Sequence, residues 1–141
     1  MTTPNIFISH RWASDDYEKL VAKFKEYNFK YSDYSVPEHD PLDADRVNQI
    51  KSGLKEQVRQ CNYLLVFANM AMDNSKWCKY EIEVAKEFNK PILSVKPSGY
   101  TGNIPVFIQD ADNEGGAVGF NTPAIIRKIC SKLNHPVPDG V

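Results

Sequence analysis

No apolar run in this 141-residue chain approaches the roughly 20 residues that a membrane-spanning helix requires. The amino terminus, MTTPNIFISH, has no apolar core behind a basic start, so no secretory signal is expected. An excess of one charge is also missing. Against 17 Lys and Arg stand 18 Asp and Glu, for a formal net charge of -1, which leaves no electrostatic footprint for nucleic acid or an anionic membrane. Cysteine is scarce: Cys61, Cys78 and Cys130 are odd in number and lack CxxC spacing, which argues against a disulfide framework and a thiolate metal site. His10, His39 and His135 are too scattered to suggest a metal site either. No GxGxxG or GxxxxGK occurs, which disfavours ordinary dinucleotide and nucleoside triphosphate sites. A reducing cytoplasm is the expected setting.

What the chain does have is alternation. Short apolar runs at NIFIS (5–9), YLLVFAN (63–69) and 91–95 read as strands, and the unbroken middle run marks a central parallel strand buried on both faces. FKYSDYS (29–35) alternates and suits a partly exposed strand. Helical spacing joins Tyr17, Leu20, Val21, Phe24 and Tyr27 behind a Ser14 cap, and Val47, Ile50, Leu54 and Val58 behind Asp45. A third helix runs from Ser75 to about Phe88, and a last one carries Ile125, Ile126, Ile129 and Leu133 after a Thr122 cap and Pro123. VFIQ and AVGF, between 105 and 120, are both strand-like. The expectation is a three-layer α/β sandwich of the flavodoxin-like kind, with a central parallel sheet of about five strands flanked by helices. One domain would span 1–134, with 135–141 a flexible tail.

In such sheets a ligand lies outside the carboxyl ends of the strands, which draws attention to SKWCKYEIE, residues 75–83. At about 100° per residue, Trp77, Glu81, Val84, Ala85 and Phe88 share one sector, and Lys79, Glu83, Lys86 and Glu87 take the rest. Glu83 is therefore a solvated acid, whereas Glu81 sits in the apolar stripe. An unpaired carboxylate there costs several kcal/mol and has its pKa raised by desolvation. Two readings are open for it: pairing with a cation or reaching past the core to water, or an acid held in a cleft for chemistry. Cys78, at the edge of the stripe, suits a structural thiol. Glu38, His39, Asp40 and Asp43 suit a solvated acidic loop.

The strand NIFISH and the segment Ser75, Trp77, Glu81 resemble the TIR domain family. The loop YSVPEHDPLD, the strand KPILSVKP and the GFN before the last helix are closest to one branch, the TIR-like domains of the Thoeris antiphage defence system. That resemblance, from Asn5 to Leu133, implies an enzyme that cleaves the nicotinamide–ribose bond of NAD and makes a cyclic or conjugated ADP-ribose signal for a separate effector protein. NAD would be the substrate and no cofactor is implied. Glu81 matches the family's active glutamate, Trp77 its motif aromatic, and Ser9 and His10 the segment lining the pocket. His10 equally suits a structural role. Asn69, ending the third strand, joins them as a substrate-binding candidate. Asp40 falls in the loop, 36–45, that matches the family's mobile loop and often mediates self-assembly into homo-oligomers. The alternative function is a non-catalytic interaction module acting through that self-assembly. A phospho-receiver is disfavoured, because the first strand ends in Ser-His-Arg and the third in Asn69, so its acids are missing.

Overall fold

The computed structural model describes residues 3–10, 15–35, 47–69 and 75–141; side chains at 47–50 and 75–76 lie outside the described set. The elements are β1 (Asn5–Ser9), α1 (Asp16–Glu26), β2 (Ser32–Asp33), α2 (Val47–Gln60), β3 (Tyr63–Phe67), α3 (Ser75–Glu87), β4 (Ile92–Val95), α4 (Val106–Ala111) and α5 (Thr122–Leu133). The sheet is parallel throughout, in the order β2-β1-β3-β4. Ile6 pairs with Tyr63 and Ser9 with Val66, while Leu64 pairs with Ile92 and Phe67 with Val95. Helix α1 packs with α5 on one face, and α2, α3 and α4 follow one another on the other. Two helical layers thus enclose the sheet, which is why every residue of YLLVF is buried.

Three helices end in the same way. Asn28, Asn89 and Asn134 adopt positive φ of 57°, 55° and 55°, a conformation that asparagine tolerates better than most residues. The next residue's amide then reaches back five positions: Phe29 N–H to the Phe24 carbonyl, Lys90 to Ala85 and His135 to Cys130. This closure satisfies the last carbonyls of each helix and turns the chain sharply. After α1 and α3 it delivers the chain straight into the approach to β2 and β4.

The sheet differs from the expectation at its edges. It has four strands rather than about five, and the fifth is reduced to a single bridge between Val95 and Val118. VFIQ is not a strand but the start of α4, where Pro105 sets the helix entry; so short an apolar run carries no period of its own. β2 occupies two residues of the seven anticipated. Phe29 is drawn into the end of α1 by its backbone bond, and Asp33 folds the chain back by accepting from Ser35 N–H at 2.8 Å. Two caps also shift. Asp15 rather than Ser14 precedes α1, and Ser14 lies outside the described residues, as does Asp45. Asn121 caps α5 by accepting from Ala124 N–H at 3.2 Å, which leaves Thr122 buried as the first helical residue.

The outer side of β4 is completed by side chains and loop backbone. Asn113 exchanges two bonds with Ile92, its Oδ1 accepting from Ile92 N–H at 2.8 Å and its own N–H donating to the Ile92 carbonyl at 3.0 Å. Asp112 Oδ2 accepts from both Ser94 N–H and Ser94 Oγ at 2.7 Å, and Val118 takes the Ser94 carbonyl and the Lys96 amide. Asp112 Oδ1 accepts from Glu114 N–H at 2.9 Å and Gly116 N–H at 3.2 Å. No side chain fits at Gly116, since a Cβ there would run into the Asp112 carboxylate and the Ser94 carbonyl oxygen.

Candidate functional site

Strand order reverses between β1 and β3. From β1 the chain moves outward to β2, and from β3 it moves the other way to β4. At such a switch point the connections diverge and leave a crevice beyond the carboxyl ends of the two central strands. Ser9 and His10 end β1, and Ala68 and Asn69 follow β3. The crevice is therefore set by topology before any side chain is considered.

Helix α3 brings Glu81 to this end of the sheet, 2% exposed, while Glu83 is exposed on the opposite side. Trp77, Val84 and Ala85 are buried with it and Phe88 is half-buried, as the helical phase anticipates. The buried stripe is wider than that phase implied, since Cys78 and Ile82 are buried too. Among the described residues no cation pairs with Glu81, and at this exposure its side chain does not extend out to solvent. Among the described residues its Oε2 has no hydrogen-bond partner, and neither do the buried Ser9 Oγ and Asn69 Oδ1. Burial pushes the Glu81 carboxyl up to about 8. The Ser9 hydroxyl lies close enough to hold it back in part, although Ser9 Oγ does not reach full hydrogen-bond geometry. At neutral pH Glu81 is thus largely protonated.

A second wall was not anticipated from the sequence. Asp16, the first residue of α1, is buried at 9% exposure, and its Oδ2 accepts from Asn69 Nδ2 at 2.9 Å. His10 stacks on Tyr17 with ring centroids 4.5 Å apart. The Tyr17 hydroxyl in turn donates to Asp33, and burial together with that carboxylate holds the phenol well above its usual range. Ser35 Oγ accepts from Ile8 N–H at 2.9 Å and ties the end of β1 to this group. Asp16 lies four residues before Leu20 on the buried stripe of α1, so helical phase carried a signal for it. Its partner, 53 positions away, had none.

Of the sequence-predicted residues, Ser9, His10, Asn69, Trp77 and Glu81 all lie at this end of the sheet, with Trp77 packed into the core one turn before Glu81. Asp40 and the 36–45 loop lie outside the described residues. Among the described residues no group of three His, Cys, Asp or Glu is placed to hold a metal ion, and no helix is long and apolar enough to cross a membrane. Cys78 is buried inside the core cluster, where a thiol packs as a small apolar group.

A family model described as Thoeris protein ThsB, TIR-like domain, matches residues 7–101. The chain belongs to that family. The match begins within β1 and takes in β3, α3 and β4, and it includes Ser9, Asn69, Trp77 and Glu81. No curated protein matches this ThsB-type domain. Among solved structures it is similar to a 2-deoxyribosyltransferase from the psychrotolerant bacterium Bacillus psychrosaccharolyticus, with 14% identity, a TM-score of 0.56, and coverage of 86% of this chain and 89% of that one. It is also similar to the CMP N-glycosidase BcmB of Clostridium botulinum, with 13% identity, a TM-score of 0.50, and coverage of 92% and 98%. At these identities the likeness establishes the fold: an α/β sandwich around a parallel sheet.

Proposed function

We propose that this domain cleaves the bond between nicotinamide and ribose in NAD, and that Glu81 is its catalytic carboxylate. The observation that carries the reading is a buried acid with an unpartnered oxygen, placed at the switch-point crevice of a ThsB-type TIR-like domain. The nicotinamide ring nitrogen of NAD is cationic, so when the C1′–N bond breaks both its electrons leave with the ring, which departs neutral. No proton donor is needed. The requirement is negative charge beside the sugar, where oxocarbenium character develops, and acceptors for the sugar hydroxyls. The free carboxyl is held largely protonated by burial, and the approach of a cationic ring favours its ionisation. Water, or a hydroxyl of the same molecule, then adds to C1′ and gives up its proton to the Glu81 carboxylate or to solvent, which yields linear or cyclic ADP-ribose. The product serves as a signal in Thoeris-type antiphage defence, received by a separate effector protein.

The two similar structures lend the reading chemical support. Their names denote transfer of a 2-deoxyribosyl group and cleavage of an N-glycosidic bond of CMP, both reactions at the bond between a sugar and a base. The test is nicotinamide release from NAD, followed by chromatography and mass spectrometry, for wild type and a Glu81→Gln variant of matched melting behaviour. Release by the wild type alone supports the assignment. Equal release by both removes Glu81 from the mechanism, and no release by either, with infected-cell extract present, removes the activity.

A further inference from the structure

Asn69 has one committed end and one vacant end. Its Nδ2 donates to Asp16 at 2.9 Å, while its Oδ1 is buried and has no partner among the described residues. A carboxylate accepts hydrogen bonds and cannot donate them. The amide therefore cannot turn over without setting its oxygen against the Asp16 oxygen. Asp16 fixes which end of the amide is left for a ligand, and that end is an acceptor.

Two neighbouring atoms, Glu81 Oε2 and Ser9 Oγ, are also buried without a partner among the described residues. Ionised Glu81 only accepts, and Ser9 Oγ accepts or donates. Among the described residues, no donor reaches the buried Asn69 Oδ1. A vicinal diol supplies two O–H donors at fixed spacing, whereas a carbonyl or an ether oxygen supplies none. A buried acceptor left empty by a ligand that lacks the hydroxyl stays unsatisfied, and that penalty is the source of discrimination.

Resting on the NAD reading above, we propose that Asp16 is a positioning residue: it locks the Asn69 amide so that Oδ1 accepts from a ribose hydroxyl beside the scissile bond, and so selects ribosides over their deoxy counterparts. Fold alone does not decide that choice. Of the two similar structures, one is named for the 2-deoxyribosyl group and the other for CMP, a ribonucleotide.

The experiment measures a ratio. Carba-NAD, which cannot be cleaved at this bond and keeps both hydroxyls, is titrated calorimetrically into the full chain beside its 2′-deoxy and 3′-deoxy forms, and nicotinamide release from NAD is followed in parallel. Wild type is expected to bind the diol form about 10- to 100-fold more tightly than at least one deoxy form. In Asp16→Asn the new amide both donates and accepts, so Asn69 is released to turn over, and the ratio falls to within about threefold. Asn69→Leu, of similar size but without the acceptor, gives the same collapse and covers the case in which the Asp16 variant folds poorly. A ratio does not depend on the fraction of protein folded, so a merely structural role leaves it unmoved. An unchanged ratio in both variants, or no preference in wild type, overturns the proposal even where nicotinamide is released. Failure to bind carba-NAD together with failure to release nicotinamide overturns the NAD reading and this inference with it.

Discussion

Two acids in this molecule occupy comparable ground and are treated in opposite ways. Asp112, beside the outer edge of β4, accepts four hydrogen bonds, two on each oxygen, from Ser94, Glu114 and Gly116. Glu81, at the carboxyl end of the sheet, is buried with an oxygen that has no partner. The surroundings of Asp112 are equally provided for. Glu114 takes the Tyr63 hydroxyl at 2.9 Å and faces Lys132 at 3.6 Å, and its backbone carbonyl accepts from Lys128 at 2.8 Å. A fold that satisfies one carboxylate so completely has the means to satisfy another. That contrast supports the proposed substrate role of Glu81.

The largest effect expected of this contrast is on activity. Glu81→Gln should lower nicotinamide release from NAD by at least about 100-fold, the scale of losing one charge-stabilising group, while circular dichroism and gel filtration match the wild type. At the satisfied site the effect should fall on stability instead. Asp112→Ala strands the buried Ser94 amide and hydroxyl and should cost about 3 kcal/mol in urea unfolding, with the preference for carba-NAD over its deoxy forms unchanged.

The pH dependence of stability is a separate test of Glu81. In the native state Glu81 keeps its proton up to about pH 8, against an ordinary value of 4.5. Between those values the folded protein holds a proton that the unfolded chain has released. The protonated acid's contribution is therefore complete below pH 4.5 and is lost as pH rises toward 8. Glu81→Gln has no such proton to lose. Its stability relative to wild type should grow by about 1 kcal/mol per pH unit across that window, measured by denaturant unfolding at pH 5, 6.5 and 8. A gap independent of pH would erase the contrast with Asp112. The smallest effect is at Tyr63→Phe, which removes one hydroxyl bond to Glu114 and should cost about 1 kcal/mol.

The inward turn of Glu81 was legible because α3 is long and its period is unambiguous. The same holds for the central strand YLLVF, whose unbroken apolar run admits few other places in an α/β protein. The sheet edge was less legible. VFIQ and AVGF are each too short to carry a period, and what decided them was a proline ahead of one and the demand of β4 for hydrogen-bond partners beside the other. Asp112 and Asn113 stand in the acidic stretch DADNE, and nothing local reveals that Ser94 and Ile92 lie opposite. At the crevice, Asp16 is an acid in the first turn of α1, a place that such residues favour without any further partner, so its bond to Asn69 has no local sign. Side chains whose partners are distant in sequence are where sequence reading stops.

The completed edge of β4 has a consequence for how copies of this domain meet. An open strand edge is a template on which another chain can add a strand, the route to sheet-to-sheet aggregation. Here the outward backbone groups of Ile92 and Ser94, and the Lys96 amide, are already engaged by Asn113, Asp112 and Val118. At the other edge β2 offers two residues, too few for a stable ladder. Among the described residues, neither edge of the sheet offers a long open strand to a second copy, so the described sheet edges steer crowded copies away from fusing their sheets.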